Sequence, residues 1–485
     1  MTSTASTAPH IRRQKLLISC ASIALIAVAL ANAKARAQVV GNGSGAFQGN
    51  PSLVSGGVGI DRGDTTDTIT VRTPTATINW SPYDNEGSGP IDFLPAENVA
   101  TFTSTEGLTD YTVLNRIVPS DPSRSILLNG TVLSTLQGTS QTGGNIWFYS
   151  PGGIVVGATA VFDVGGLLLT SIDLPNGFTA DSNGFSGTFA STEETGSGAI
   201  KILKGAQINA RDSYVALIAP RIEQGGTVRV DGSAAYVAGD QVTMTFNQGL
   251  FDIAVDVGTD DPNGIVHTGT TGGSSNAAAA DNHTIYMAAV PKNQALTMLL
   301  GGNVGYDDAV TAGVENGKIV LSAGTGAFDG SLASISIDGG SFTSSVDATA
   351  DTDILALADS GNLSFSGDVS LTAARVHLGA FNGNQLTVGG NATLGAWHAD
   401  GSGGEALIVA SGTGSKVDID GDAKLDVTGY GNGGATGFGG TATIQADGGA
   451  ITVGGLTSLI ADAGSGRPVE GNSGDAFGGS ANIQA

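Results

Sequence analysis

The sequence is short of the residues that staple or thicken a fold. Its one cysteine, Cys20, lies in the N-terminal segment, so no disulfide joins two points of the chain, and hydrogen-bond ladders and buried aliphatic side chains must carry stability instead. Aromatic residues make up 6% and charged residues 13%. Apolar residues amount to 40%, mostly Ala, Val, Ile and Leu in short runs, which suits a thin, elongated core. Positive charge is also scarce: 20 Lys and Arg face 44 Asp and Glu, a net charge of −24 that argues against nucleic acid and anionic lipid as partners. What abounds is glycine, 76 residues without a three-residue period, which excludes a collagen-like helix.

The N-terminus reads as a targeting segment. Arg12, Arg13 and Lys15 precede an apolar stretch from Leu16 to Ala31, and Ala35 and Ala37 before Gln38 supply an A-x-A cleavage site, with Ala31-Asn32-Ala33 as a second candidate. The apolar run is short for a spanning helix. It also follows Cys20, where a lipidation signal would need it to precede the cysteine. Residues 1–37 are therefore expected to be a signal peptide, which sends the rest across the inner membrane.

The stretch "GNIWFYSPGGIVVGATAVFDVGGLLLTS", Gly144–Ser171, is too rich in glycine for a helix. Its Gly and Pro clusters delimit strands at Ile146–Tyr149, Ile154–Val156, Ala160–Val164 and Leu167–Ser171. Setting Gly205–Leu217 over Gly225–Val237 then shows an offset of 20, with Ile208 over Val228, Ala210 over Val230 and Leu217 over Val237; Ile202, Ile222 and Val242 continue it. About three short strands per 20 residues is one coil of a parallel β-helix. The pattern loosens later: Leu363, Leu386, Val417 and Ile451 each open an h-x-h-x-G motif, and Gly437–Ala446 repeats at Ala476–Ala485. The expected fold is all-β, a right-handed parallel β-helix (β-solenoid) roughly 70 to 100 Å long. Polar stretches at Thr179–Ser197 and Gly269–Asn282 read as extruded loops. The repeat running to Ala485 suggests a fragment of a longer protein.

With "VLNRIV", "SPGGIVVG" and "FDVGGLLLTS" in order, the sequence resembles the N-terminal secretion domain of filamentous-haemagglutinin-type exoproteins of two-partner secretion systems, over roughly residues 38–260. Asn115, Arg116 and Ile117 match the family's N-R-[IV]. Leu128, Gly130 and Val132 fit a following strand. Pro151, Gly153 and Ile154 match an Asn-Pro-Asn-Gly-Ile turn in which Ser150 and Gly152 replace the asparagines, with Ser able to cap the turn and Gly to take a left-handed conformation. The resemblance implies a capping secretion domain over 38–260 and glycine-rich solenoid repeats over 261–485. It further implies export by Sec through the periplasm, recognition by an outer-membrane β-barrel transporter, and release to the medium or cell surface as an adhesin with a host-cell or glycan receptor. Asn115, Arg116, Ser150, Pro151, Gly152, Gly153 and Ile154 are the transporter-recognition candidates it supplies, although a capping Asn and a surface Arg explain the same letters. A toxin-delivery stalk and a polysaccharide-active β-helix are the alternatives.

Other motifs carry less. Arg62-Gly63-Asp64 has the letters of an integrin ligand, but Gly-Asp is an ordinary turn. Asp418, Asp420, Asp422 and Asp426 resemble a calcium loop, yet alternation with Val417 and Ile419 places acids on a strand's solvent face, and Ala423 and Gly429 stand where an EF-hand needs Gly and Glu. His267, His283, His377 and His398 have no metal-ligand spacing, and no G-x-S-x-G occurs. No catalytic residue, metal ligand or cofactor is expected.

Overall fold

A computed structural model describes residues 38–485 apart from 41–42, 84–86, 138–140, 182–183, 191–197, 211–212, 274–282, 307–316, 325–331, 432–435 and 465–474. Ala35 and Ala37 of the proposed cleavage site lie outside the described residues, and Gln38 opens the first strand, Gln38–Val40. The fold is an all-β parallel β-helix, built of sheets of 15, 14 and 13 strands, here called the first, second and third. A typical coil runs through Ile126–Leu128 in the third sheet, Thr131–Thr135 in the first and Asn145–Tyr149 in the second; the next repeats the circuit at Ile154–Val156, Val161–Val164 and Gly166–Thr170. These match the strands expected from the glycine spacing to within one residue. Fifteen strands at about 4.8 Å apart give a stack of roughly 65 to 70 Å, at the lower end of the expected range because some coils carry long insertions, the longest between Val164 and Gln207 and between Val230 and Thr270.

Inward-facing aliphatic residues stack in columns along the axis, as in Leu363, Leu386, Val417 and Ile451 of the first sheet. The residue after each glycine corner explains the motif there. Asp368 Oδ1 accepts the Asn391 N–H at 2.7 Å, Asn391 Oδ1 accepts that of Asp422 at 2.8 Å, and Asp422 Oδ1 accepts that of Leu456 at 2.7 Å. Asp422 is thus a corner cap, while Asp418 and Asp426 pair with Lys416 and Lys424.

The N-terminal end is closed by antiparallel pairing, Val58–Arg62 with Thr66–Val71 and Gly49–Ser55 with Thr75–Pro82. Beneath it Phe47 stacks on Phe93, ring centroids 5.1 Å apart, and meets Trp80 edge-on. Arg62 is buried against this cluster. Its guanidinium donates to Asp67 Oδ1 at 3.0 Å and to the carbonyls of Ser44, Phe47 and Gly49, while Asp67 Oδ2 accepts the Phe47 N–H at 2.8 Å. The Arg-Gly-Asp tripeptide is therefore a cap tie followed by a turn, with no arginine free for a receptor.

Two expectations need correction. The 20-residue offset holds for Ile208 and Val228 but falls to 19 at the next strand, where Leu217 pairs with Tyr236, and rises to 22 where Ile200, not Ile202, pairs with Ile222. Leu217 over Val237 would have set an inward side chain on an outward one. Ile222 continues to Ile265, because Gln241–Asn247 leaves the helix. It joins Phe178–Asp181, Gly184–Ala190 and Leu250–Val257 in a four-stranded antiparallel side sheet, so Thr179–Ser197 is not simply a loop. Thr270–Gly273 is likewise a strand of the first sheet, and residues 274–282 of that expected loop lie outside the described residues.

A buried polar layer interrupts the aliphatic interior. His267 Nδ1 lies 2.8 Å from the Gly301 carbonyl, which fixes it as the donor and leaves Nε2 to accept from Thr271 Oγ1 at 2.9 Å; Tyr236 O–H completes the chain to Thr271 at 2.8 Å. Burial lowers the His267 pKa to about 4 from 6.5. A depressed folded-state value means that its contribution is complete above pH 6.5 and lost as pH falls toward 4, a span worth about 3 kcal/mol. Denaturant titrations of wild type and His267→Gln between pH 7 and pH 4 are expected to show the wild type losing more stability, and parallel curves would remove His267 as the cause.

Candidate transporter-recognition site

The recognition candidates lie on adjacent coils. Asn115 and Arg116 are neighbours in Thr112–Ile117 and therefore face opposite sides of the second sheet. Asn115 points inward and is fully buried, accepting from Trp80 Nε1 at 3.1 Å and donating to the Trp147 carbonyl at 3.2 Å. It caps nothing and offers no surface to a partner once the domain is folded.

Arg116 points outward but is mostly covered. Its guanidinium makes a two-pronged contact with the Asp173 carboxylate, Nη2 to Oδ2 at 2.8 Å, and lies 4.8 Å from the centroid of the Tyr149 ring, its neighbour in register. The hydrogen bonds that Arg116 donates to Asp173 raise the Arg116 pKa, and burial with the Asp173 charge pushes the Tyr149 phenol up to about 12. Asp173 also bridges to the side sheet, its carbonyl accepting the Ala190 N–H at 2.9 Å. Arg116 thus clamps the side sheet's entry to the helix, which is more than the surface arginine considered from the sequence.

Ser150, Pro151, Gly152 and Gly153 turn the chain from the second sheet to the third, where Ile154 enters the core. The turn is closed by the Gly153 N–H on the Ser150 carbonyl at 3.1 Å. The buried Ser150 hydroxyl has no hydrogen-bond partner among the described residues, so it does not cap the turn as expected. Nor is Gly152 the left-handed residue: that is Gly153, with φ 100°. At Gly152 a Cβ would stand 2.1 Å from the Arg124 carbonyl oxygen, so this corner packs too closely on the preceding coil for any side chain. The asparagine of the family pattern does not fit here.

The side sheet was missed in the sequence, although a signal for it exists. Tyr214–Ala219 and Ser233–Ala238 are buried at every position, as are Asn145–Tyr149 and Gly166–Thr170. Unbroken runs such as "YVALIA" mark a strand covered on both faces. The cover consists of Phe185, Phe189, Val242, Met244, Phe246 and Phe251. They pack on Trp147, whose Nε1 donates to the Tyr214 hydroxyl at 2.8 Å.

A family model described as the TPS secretion domain matches residues 70–290. Over this stretch the chain is similar to two-partner secretion domains. The stretch takes in the coils that bear Asn115, Arg116 and the Ser150 turn, together with all four strands of the side sheet. The chain is also similar to the crystal structure of the HMW1 secretion domain from Haemophilus influenzae, at 16% identity and a TM-score of 0.46, covering 84% of this chain and 99% of that one. No curated protein matches the sequence. A two-partner secretion domain implies a secreted protein and a partner transporter in the outer membrane. The matched family is one of secretion rather than catalysis, and among the described residues no three His, Cys, Asp or Glu come together as a metal site.

Proposed function

We propose that this chain is an adhesin-like exoprotein, whose N-terminal domain is read by its transporter as an unfolded segment and whose later coils form a shaft presented at the cell surface or in the medium. The observation that carries the reading is the match of residues 70–290 to the secretion-domain model, followed without a break by further coils. Residues 1–37 direct Sec export and are removed before Gln38. Asn115, Arg116 and Ser150 to Ile154 then serve twice, as recognition letters in the periplasm and as core, clamp and corner after folding. Each coil that stacks outside adds backbone bonds and buried aliphatic area, so folding proceeds stepwise and biases the chain outward. The absence of cysteine after residue 20 keeps the chain free of cross-links that would obstruct threading.

Co-expression of the full chain with and without a candidate transporter tests the route: the culture medium is expected to hold folded protein only when the barrel is present. Asn115→Ala leaves the Trp80 indole N–H unpaired and removes a side-chain donor from the Trp147 carbonyl, a cost of about 1 to 3 kcal/mol, and is expected to reduce release. Binding of the urea-unfolded variant to the transporter's periplasmic domains separates its two roles: weakened binding is the expected result, and undiminished binding would assign Asn115 to folding alone.

A further inference from the structure

The side sheet ends on an open edge. Leu250–Val257 pairs with Gln241–Asn247 on one side, and among the described residues no strand pairs with the other. The connecting turn, Gln248-Gly249, has φ of 50° and 84°, the two positive values of a type I′ hairpin. Asn247 and Leu250 are then a hydrogen-bonded pair, as are Thr245 with Asp252 and Thr243 with Ala254. By the same alternation Phe251, Ile253 and Val255 direct their N–H and C=O groups to the open side.

Beside that edge lies a cleft of about 560 Å³. Its floor is the outer face of the next two strands of the second sheet, Tyr286 and Ala288 of Thr284–Ala289 with Val320 and Ser322 of Lys318–Ala323. The side sheet covers Ala235 and Val237, and their neighbours in register, Tyr286 and Ala288, are where its cover thins. A further strand beside Leu250–Val257 would lie over this floor. Natural edges are blunted by lysine, proline or a bulge in the edge strand. "LFDIAVDV" has no lysine or proline, its one register shift is confined to its last residues, after Val255, and its exposed face carries Asp252 and Asp256.

We propose that this edge is a docking site for an extended segment of a partner protein, which adds a fifth strand with apolar side chains on the Tyr286–Val320 floor and Lys or Arg opposite Asp252 and Asp256. Backbone pairing supplies affinity, and the alternation of apolar and basic side chains supplies selectivity. Charge complementarity selects this occupant. A second copy would set like acids against each other across the new ladder, in a chain already at −24. The inference goes beyond the export reading and does not depend on it.

The test uses the full chain and a capped octapeptide of alternating lysine and valine, with alternating glutamate and valine as control, read by fluorescence anisotropy and residue-resolved hydrogen exchange. The expected result is saturable binding of the lysine peptide that slows exchange at Ile253 and Val255 about tenfold or more. Asp252 and Ala254, already bonded within the sheet, stay unchanged. The surface double variant Asp252→Asn/Asp256→Asn is expected to weaken binding about tenfold. Failure to bind, binding without protection at Ile253 and Val255, or equal affinity for the glutamate peptide would overturn the proposal. Protection of these amides that grows with protein concentration and needs no peptide would overturn it in favour of self-pairing.

Discussion

Asp67→Ala is expected to lower the stability of the N-terminal cap by about 3 to 5 kcal/mol, the cost of leaving one partner of a buried ion pair uncompensated. The Arg62 guanidinium would lose its one carboxylate while remaining enclosed by Phe47, Trp80 and three backbone carbonyls. Only 6% of its side chain is exposed, so water cannot replace the carboxylate without opening the cap. Trp80 sits in the same cluster and reports the event, so the earliest fluorescence transition in denaturant should move to lower concentration. The paired change Arg62→Met/Asp67→Leu removes both charges and is expected to recover most of the loss. A single-variant loss below about 1 kcal/mol would mean that the pair does not hold the cap.

Trp147→Ala should have a comparable effect at a different place, about 3 to 5 kcal/mol for a large aromatic truncated in a packed interior. The indole binds the side sheet to the β-helix. Its ring centroid is 4.4 Å from that of Phe178 and 4.9 Å from that of Phe185, and its N–H satisfies the buried Tyr214 hydroxyl. The inward columns on the other face of the second sheet do not depend on it. Detachment of the side sheet with the coils still stacked is the expected outcome, seen as new proteolytic cleavage between Phe178 and Ala190 while the bulk of the strand signal persists. Continued protection of that segment would show that the Arg116–Asp173 clamp and the backbone ladder suffice without Trp147.

The sequence made the β-helix legible because its corners are written in glycine and its strands in alternating aliphatic residues. The motifs at Leu363, Leu386, Val417 and Ile451 align in space as they do on the page. Offset arithmetic failed where the corner length changed: one residue fewer between Val230 and the next strand than between Ala210 and its own turned the expected Leu217–Val237 partnership into Leu217–Tyr236. The side sheet escaped notice because its strand "GFSGTFA" is rich in Ser, Thr and Gly, and a loop uses the same letters. Its signature lay in the strands it covers. For the recognition residues, the letters located the elements but not the direction of the side chains. Asn115 and Arg116 are adjacent in sequence and on opposite faces of one strand, so one became core and the other a clamp.

The central claim is that the information for export resides in residues 70–290, and dividing the chain tests it directly. Residues 1–290, and separately residues 1–37 joined to 291–485, would each be expressed with the transporter, and medium and periplasm assayed for both. The account predicts transporter-dependent release of the first and periplasmic retention of the second. Release of the second, or retention of the first with the transporter present, would contradict it.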